Sequence, residues 1–195
     1  METLTGILRF IHVLNAMLMI WPFYALVAVN QRGRLGPPLG DRVDVYMENI
    51  IKNRTIPCFV FQATALISGA ILVALRGRSL GDLFTEPVLA IKFFPLLLIG
   101  GLLSYVHVSL QPRIDALFAQ AGGAPATPEL AKQIGPLRIQ RKRLATVCLF
   151  VVLLSAMLGV QVWAPFPFWL TLVLTAVIGL FTWRSYSSVT PYGWA

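Results

Sequence analysis

Charge is scarce in this sequence. Only 12% of its 195 residues are charged and 57% are hydrophobic, whereas a soluble domain has about 25% charged residues. A chain with so few solvated groups cannot cover its surface in water, which excludes an ordinary soluble globular protein. The long apolar stretches instead predict a chain that hides its surface in lipid.

Acidic residues, cysteines and histidines are fewer still, with eight Asp and Glu, two Cys and two His. Cys58 and Cys148 cannot build a disulfide framework, so we expect reduced thiols packed as small apolar groups. The sequence contains no nucleophile elbow, phosphate-binding loop or catalytic pair of carboxylates. The net charge of +8 comes from residues between the apolar runs, which suits a membrane surface, and we expect no nucleic-acid partner.

Five apolar runs are each long enough to cross a hydrocarbon core about 30 Å thick, at about 1.5 Å per helical residue. They predict an all-α integral membrane protein with a four-helix transmembrane bundle in 1–163 and, in 164–195, a fifth transmembrane helix with an interfacial tail. We interpret the first run as a retained helix and not as a signal peptide, because basic residues follow it before the next run. The predicted spans are 4–29, 57–75, 88–110, 144–163 and 166–183.

Basic residues lie mostly on one side of these spans. Of the 16 Lys and Arg, only four fall on the other side, and two of those, Arg9 and Lys92, lie inside helix ends. The positive-inside rule makes the richer side cytoplasmic. We therefore expect a multi-pass protein of the cell inner membrane with its N-terminus outside and its C-terminus in the cytoplasm.

Both long loops lie on the basic side. In the first loop, 44–54 mixes apolar and charged residues, which predicts a short helix on the membrane surface. In the second loop, Thr127 followed by Pro128 predicts the start of another short helix. The basic run 138–143 predicts an anchor to anionic lipid headgroups.

Ionisable groups within a membrane are costly and therefore mark candidate functional sites. The predicted spans contain four of them, Arg9, His12, Lys92 and His107. Arg9, His12 and Asn15 are spaced three residues apart, which places them on one face of the first helix. Lys92 lies about one turn into the third span, at nearly the same depth as His12. We expect a cofactor site formed by His12, Lys92, Arg9 and Asn15, with His12 as the metal ligand.

His107 is excluded from that site by its depth. The first and third spans run in the same direction, with His12 near the start of the first and His107 near the end of the third. Their depths therefore differ by roughly 13 to 17 Å. Because imidazole nitrogens lie about 2 Å from a bound metal, the two histidines cannot hold one haem iron.

Simpler roles stay open for each of these groups. His12 can hydrogen-bond a neighbouring helix, Lys92 can extend its ammonium group to the interface, and His107 can lie among the headgroups. A soft-metal site is a further alternative, since Cys58, His107 and Cys148 share one depth, although no CxxC spacing supports it.

Several short motifs resemble one family. The sequence Leu-Arg-Phe-Ile-His-Val-Leu at 8–14 resembles the start of the CopD-type copper-resistance and HemJ-type protoporphyrinogen oxidase membrane proteins. The basic Asn/Pro entry at 52–57, the third helix that begins with Lys92, and the basic entry at 141–143 are similar to the same family. The resemblance implies a four-helix bundle whose functional pair is His12 and Lys92. It links that pair to b-type haem and porphyrinogen oxidation in HemJ-type proteins, or to copper in CopD-type proteins.

Three functions are consistent with these observations. The first is a redox-linked membrane protein that binds b-type haem or another tetrapyrrole near His12, where Lys92 or Arg9 neutralises a propionate. The second is a non-catalytic accessory subunit of a respiratory or photosynthetic complex, which contacts other membrane subunits through the fifth helix. The third is transport of copper or another small solute, for which the spans offer little polar lining.

Overall fold

The computed structural model describes residues 2–34, 39–52, 55–161 and 164–188. Regular structure in these ranges is entirely helical, and five of the helices are long and apolar enough to cross a membrane. The predicted all-α membrane bundle is therefore confirmed. The α-helices in the described ranges are α1 (Glu2–Asn30), α2 (Arg42–Ile51), α3 (Thr55–Leu75), α4 (Asp82–Thr85), α5 (Pro87–Tyr105), α6 (Gln111–Gln120), α7 (Pro128–Gln161) and α8 (Phe168–Ser187).

Four helices form the bundle. α1 packs against α3 and α7, and α5 packs against the same two helices, so the four enclose one apolar centre. α8 lies outside this bundle, against α7 and α1. We call the end at which α1 begins the N-terminal end, and the opposite end, which carries α2, α6 and the first half of α7, the basic end. The buried residues of the centre are Met19, Phe23, Cys58, Ile99, Leu103, Cys148, Leu149 and Val152.

α7 is longer than a membrane span. It has 34 residues and is therefore about 51 Å long, against a hydrocarbon core of about 30 Å. We expected a short helix from Thr127 and a separate span at 144–163, and this division is wrong. Thr127 does cap the helix, since the amide of Leu130 donates to Thr127 Oγ1 at 3.4 Å. Pro136 does not end the helix, because side chains on both sides of it are held by contacts with other helices.

The third span also continues past its predicted range of 88–110, through α6. A π turn, Val106–Leu110, joins α5 to α6, and the amide of Gln111 donates to the carbonyl five residues earlier. A proline ring clashes with the carbonyl four residues before it in a regular helix. The wider turn just before Pro112 relieves that clash, so the helix continues. His107 lies on this turn.

α2 confirms the short helix that was predicted near 44–54. Asp41 caps its start by accepting from the amide of Asp44 at 2.7 Å. Its polar side faces the bundle, where Asp44 is buried and the Glu48 side chain is 15% exposed. The large apolar residues exposed on its other side are Val43, Val45 and Tyr46.

Parts of three predicted features lie outside the described residues. These are the last residues of the fourth span at 162–163, Arg54 in the basic entry to the second span, and 189–195 of the C-terminal tail.

Candidate functional site

A cavity of about 640 Å³ opens between α1, α3, α5 and α7 at the N-terminal end. Its volume lies within the range of about 300–1,000 Å³ that is typical of sites for small molecules. Most of the lining is apolar, with Leu72, Leu96 and Val152 among the side chains, and both His12 and Lys92 lie on it. The structure therefore brings together the two residues that the sequence marked most strongly.

The hydrogen bonds of Ser68 assign the tautomer of His12. Ser68 Oγ lies 2.8 Å from His12 Nδ1 and 2.6 Å from the carbonyl oxygen of Thr64. A hydroxyl has one proton to donate, and a carbonyl can only accept. The Ser68 proton therefore goes to Thr64, and Nδ1 of a neutral His12 carries its own proton. Nε2 is left with the lone pair, which is the form that binds a metal or accepts a proton.

Gly69 keeps the His12 ring close to α3. A Cβ atom at this position would lie 3.4 Å from His12 Cε1, so the ring packs directly against the backbone of α3 at Gly69. The ring is therefore fixed by a hydrogen bond to one residue of α3 and by packing against the next. Such a second set of contacts orients a metal-binding imidazole.

Two arginines from the segment after the second predicted span also line the cavity. Arg76 and Arg78 follow the end of α3 and lie on the same cavity as Lys92. The carboxylate of Glu86, which pairs with Arg78 at 3.5 Å, is the only one among the described lining residues. Three cations against one carboxylate make this cavity favourable for an anionic group. Their only signal in the sequence was their position directly after the second span.

Asn15 and Arg9 are not among the residues that line the cavity. Asn15 is buried, and its Nδ2 donates to the carbonyl oxygen of Phe61 at 2.6 Å, which ties α1 to α3. Arg9 is exposed near the start of α1. Of the four residues expected at the cofactor site, the structure therefore brings His12 and Lys92 together at one cavity.

His107, on the π turn, contacts the end of α3 that is opposite to Ser68. Its Nδ1 is 2.8 Å from Thr55 Oγ1, and Thr55 precedes Ser68 by 13 positions, or about 20 Å of helix. The two histidines are therefore too far apart to share a metal, in agreement with the depth argument. Among the residues that the structure describes, no group of three or more His, Cys, Asp or Glu could hold a metal ion. The alternative of a soft-metal site at Cys58, His107 and Cys148 therefore has no support.

The basic run of α7 forms an internal ion-pair network and not the predicted lipid anchor. Arg141 is 1% exposed and donates to both carboxylate oxygens of Glu48, at 2.5 and 2.9 Å. Arg138 contacts Asp44 at 2.8 Å and Glu48 at 3.0 Å. The prediction for 138–143 is wrong at these two arginines because the carboxylates of α2 fold over them and replace lipid phosphates as partners.

The same network fixes the carboxylates of α2 in their charged state. Burial on its own raises the pKa of Asp44, but hydrogen bonds from Arg138 and from the amide of Gly40 hold it below its usual value. Burial likewise raises the pKa of Glu48, and the hydrogen bond and charge of Arg141 outweigh that effect. Both carboxylates are therefore ionised at neutral pH.

Lys142 ties the end of α8 to the bundle. Its Nζ donates to Gln31 Oε1 and to the carbonyl oxygen of Tyr186, both at 2.8 Å. Gln31 Nε2 donates in turn to the carbonyl oxygens of Ser185 and Tyr186, at 2.6 and 2.9 Å. Carbonyls in the last turn of a helix lack partners within that helix. Buried polar side chains therefore satisfy the end of α8.

No family model, curated protein or solved structure matches this chain. The resemblance to CopD-type and HemJ-type proteins therefore stays a prediction. The structure defines the protein as a multi-pass helical membrane protein with a ligand-sized cavity at one end, and its function has to be inferred from that site.

Proposed function

We propose that this protein is a redox-linked membrane protein that binds b-type haem or another tetrapyrrole in the cavity at the N-terminal end. The observation that carries the proposal is the state of His12. Its Nδ1 lies 2.8 Å from Ser68 Oγ, the hydrogen bonds of Ser68 assign the lone pair to Nε2, and the residue lines an apolar cavity. Imidazole held in this way is a common ligand of haem iron.

The other lining residues fit the two remaining parts of such a molecule. The apolar walls suit the macrocycle, and the cations Lys92, Arg76 and Arg78 suit its propionates. Lys92 makes no hydrogen bond or ion pair with a carboxylate in the described part of the chain. Met157 of α7 also lines the cavity, and its thioether is a further group that could bind haem iron.

Bound haem would supply one-electron redox chemistry, and the chain would hold it in position. His12 would bind the iron, Ser68 would hold the imidazole in its binding tautomer, and the apolar walls would exclude water. By the positive-inside rule, the basic end faces the cytoplasm of a cell with this protein in its inner membrane. The cavity then lies in the outer half of the bilayer.

Titration with ferric protoporphyrin IX tests the proposal. We expect the purified protein to give a shifted Soret band, and His12→Ala to weaken binding at least about tenfold. The matched control is His107→Ala. His107 contacts Thr55, which lies about 20 Å from Ser68 along α3, so this variant should bind as the unaltered protein does. Equal binding by His12→Ala and the unaltered protein would contradict the assignment of the iron ligand.

A second titration separates the iron ligand from the cavity. Metal-free protoporphyrin IX offers the macrocycle and propionates but no iron. Lys92→Gln should weaken the binding of both porphyrins, whereas His12→Ala should weaken only the binding of the iron form. If Lys92→Gln changes neither affinity, the cations of the cavity do not hold the propionates.

A second candidate function is that of an accessory subunit, and the surface of α8 favours it. Thr182 is the only described residue of α8 that is buried. The side of α8 that carries Gly179 faces the bundle, where a Cβ atom at Gly179 would lie 3.9 Å from the Phe150 ring of α7. A partner would therefore bind the outer face, whose most exposed large apolar residues are Phe168, Trp169, Leu180 and Trp183.

A further inference from the structure

The acidic residues of α2 and of its N-terminal cap are all used by arginines of the protein itself. The ion pairs join Asp41 to Arg32, Asp44 to Arg32 and Arg138, and Glu48 to Arg138 and Arg141. Three carboxylates and three arginines are equal in number, so this network has no net charge. The inward side of α2 therefore neither adds to nor offsets the charge on its other side.

The outward side of α2 carries two cations and no acidic residue. Arg42, Val45, Asn49 and Lys52 follow one another at intervals of three or four residues, which places them in one stripe, and all four are exposed. Tyr46 widens the stripe and is 66% exposed. Neither Arg42 nor Lys52 makes an ion pair within the described part of the chain. We call these five residues the outer stripe.

The contacts of α2 place the outer stripe at the depth of the lipid headgroups. α3 has 21 residues, or about 31 Å, which matches a hydrocarbon core of about 30 Å, so α3 begins near the edge of that core. Cys58, in the first turn of α3, shares the apolar centre with Cys148 of α7. Arg141 lies seven residues before Cys148, and its partner Glu48 is therefore about 6 Å outside the core. Ile51 lines a smaller cavity of about 290 Å³ together with Cys58 and Cys148, so α2 reaches down to the start of α3.

A headgroup layer is about 5–7 Å thick on each side of the core, so the molecules that surround α2 at this depth are lipids. Exposed Arg42 and Lys52 attract phosphate, and a tyrosine beside them is typical of the membrane interface. A zwitterionic headgroup carries a cation of its own, which these two residues would repel. The charge of the outer stripe therefore favours an anionic headgroup.

We propose that the outer stripe binds anionic phospholipids of the leaflet at the basic end. The lipid anchor that the sequence predicted at 138–143 is thereby assigned to α2, whose carboxylates occupy Arg138 and Arg141. The ion-pair network holds α2 on the bundle, and the outer stripe holds the bundle in the leaflet. This role is independent of any ligand in the cavity of His12.

Native mass spectrometry with added dioleoyl phosphatidylglycerol or dioleoyl phosphatidylcholine tests the proposal. We expect tighter binding of phosphatidylglycerol, and about a fivefold loss of that affinity from Arg42→Gln and from Lys52→Gln, since each cation contributes about 1 kcal/mol. The matched control is Lys132→Gln. Lys132 is an exposed cation of α7, nine residues before Arg141 and thus about 13 Å farther from the membrane, so this variant should bind as the unaltered protein does.

Three results would overturn the proposal. Equal affinity of the unaltered protein for the two lipids would show that the outer stripe does not select anionic headgroups. A loss from Lys132→Gln as large as that from Arg42→Gln would show attraction by net charge alone. A double variant, Arg42→Gln with Lys52→Gln, that keeps its phosphatidylglycerol affinity but loses a co-purified protein would make the outer stripe a docking face for another protein.

A fluorophore on Asn49→Cys tests the depth of the outer stripe separately. The native Cys58 and Cys148 are buried, so the reagent should react at the new position. In nanodiscs of phosphatidylglycerol and phosphatidylcholine in equal parts, a nitroxide on the lipid headgroup should quench the fluorophore at position 49 and spare one on Lys132→Cys. Equal quenching at the two positions would contradict the placement of α2 in the headgroup layer.

Discussion

Replacement of Glu48 by alanine should destabilise the protein strongly. Glu48 accepts from Arg141, which is 1% exposed, and from Arg138 at 3.0 Å. Removal of one partner of a buried ion pair costs about 3–5 kcal/mol, because the other charge stays buried. Two neutral oxygens, those of Gln111 and Asn30, still accept from Arg141 at 2.6 and 3.3 Å. We therefore expect a loss near the lower end of that range, about 3 kcal/mol.

Equilibrium unfolding in mixed micelles, followed by circular dichroism, measures this loss. Glu129→Ala is the matched control, since Glu129 is an exposed acid in the first turn of α7 and should contribute less than about 1 kcal/mol. The double variant Glu48→Leu with Arg141→Met removes both charges and should recover most of the stability. A loss below about 1 kcal/mol for Glu48→Ala would refute the view that the network holds α2 on the bundle.

Three further outcomes follow from the same structure. Asp44 and Glu48 of α2 have folded pKa values below normal. The stability that they contribute is therefore complete above their unfolded pKa values of about 4 and is lost as the pH falls through the lower folded pKa values. An unfolding free energy that shows no decline below about pH 4 would contradict this prediction. In intact cells, a membrane-impermeant thiol reagent should label a cysteine placed at Ser79 and spare one at Ala124, and the reverse pattern would invert the topology. Truncation after residue 163 should destabilise the protein, because Lys142 loses its hydrogen bond to the Tyr186 carbonyl at 2.8 Å. Trp169→Ala leaves that bond intact, so native gels of this variant test for partners on α8. Co-migration of Trp169→Ala as in the unaltered protein would count against partners on this face.

The membrane spans could be predicted because lipid imposes one simple requirement on the sequence. An apolar run of about 20 residues has few alternatives to a transmembrane helix, and this fixed the bundle and the fifth helix. The pairing of His12 with Lys92 was predictable for a related reason. Depth in a bilayer follows from residue counts along a helix, so two residues at the same depth can be recognised without knowing how the helices pack.

Contacts between distant parts of the chain could not be predicted in this way. The positive-inside rule locates basic residues on one side of the membrane, but it cannot distinguish an arginine that binds lipid from one that binds a carboxylate. Arg141 pairs with Glu48, which is 93 positions away. The roles of Ser68 and Arg78 at the larger cavity also depend on helix rotation and loop path, which residue counts do not give.

The optical difference spectrum of the purified protein, reduced minus oxidised, tests the central proposal most directly. If the cavity at the N-terminal end holds b-type haem through His12, the spectrum should show the α and Soret bands of a b-type centre. His12→Ala should abolish or shift those bands, and His107→Ala should leave them in place. A spectrum without haem bands after growth with added haem precursor, or equal loss from both variants, would contradict the proposal.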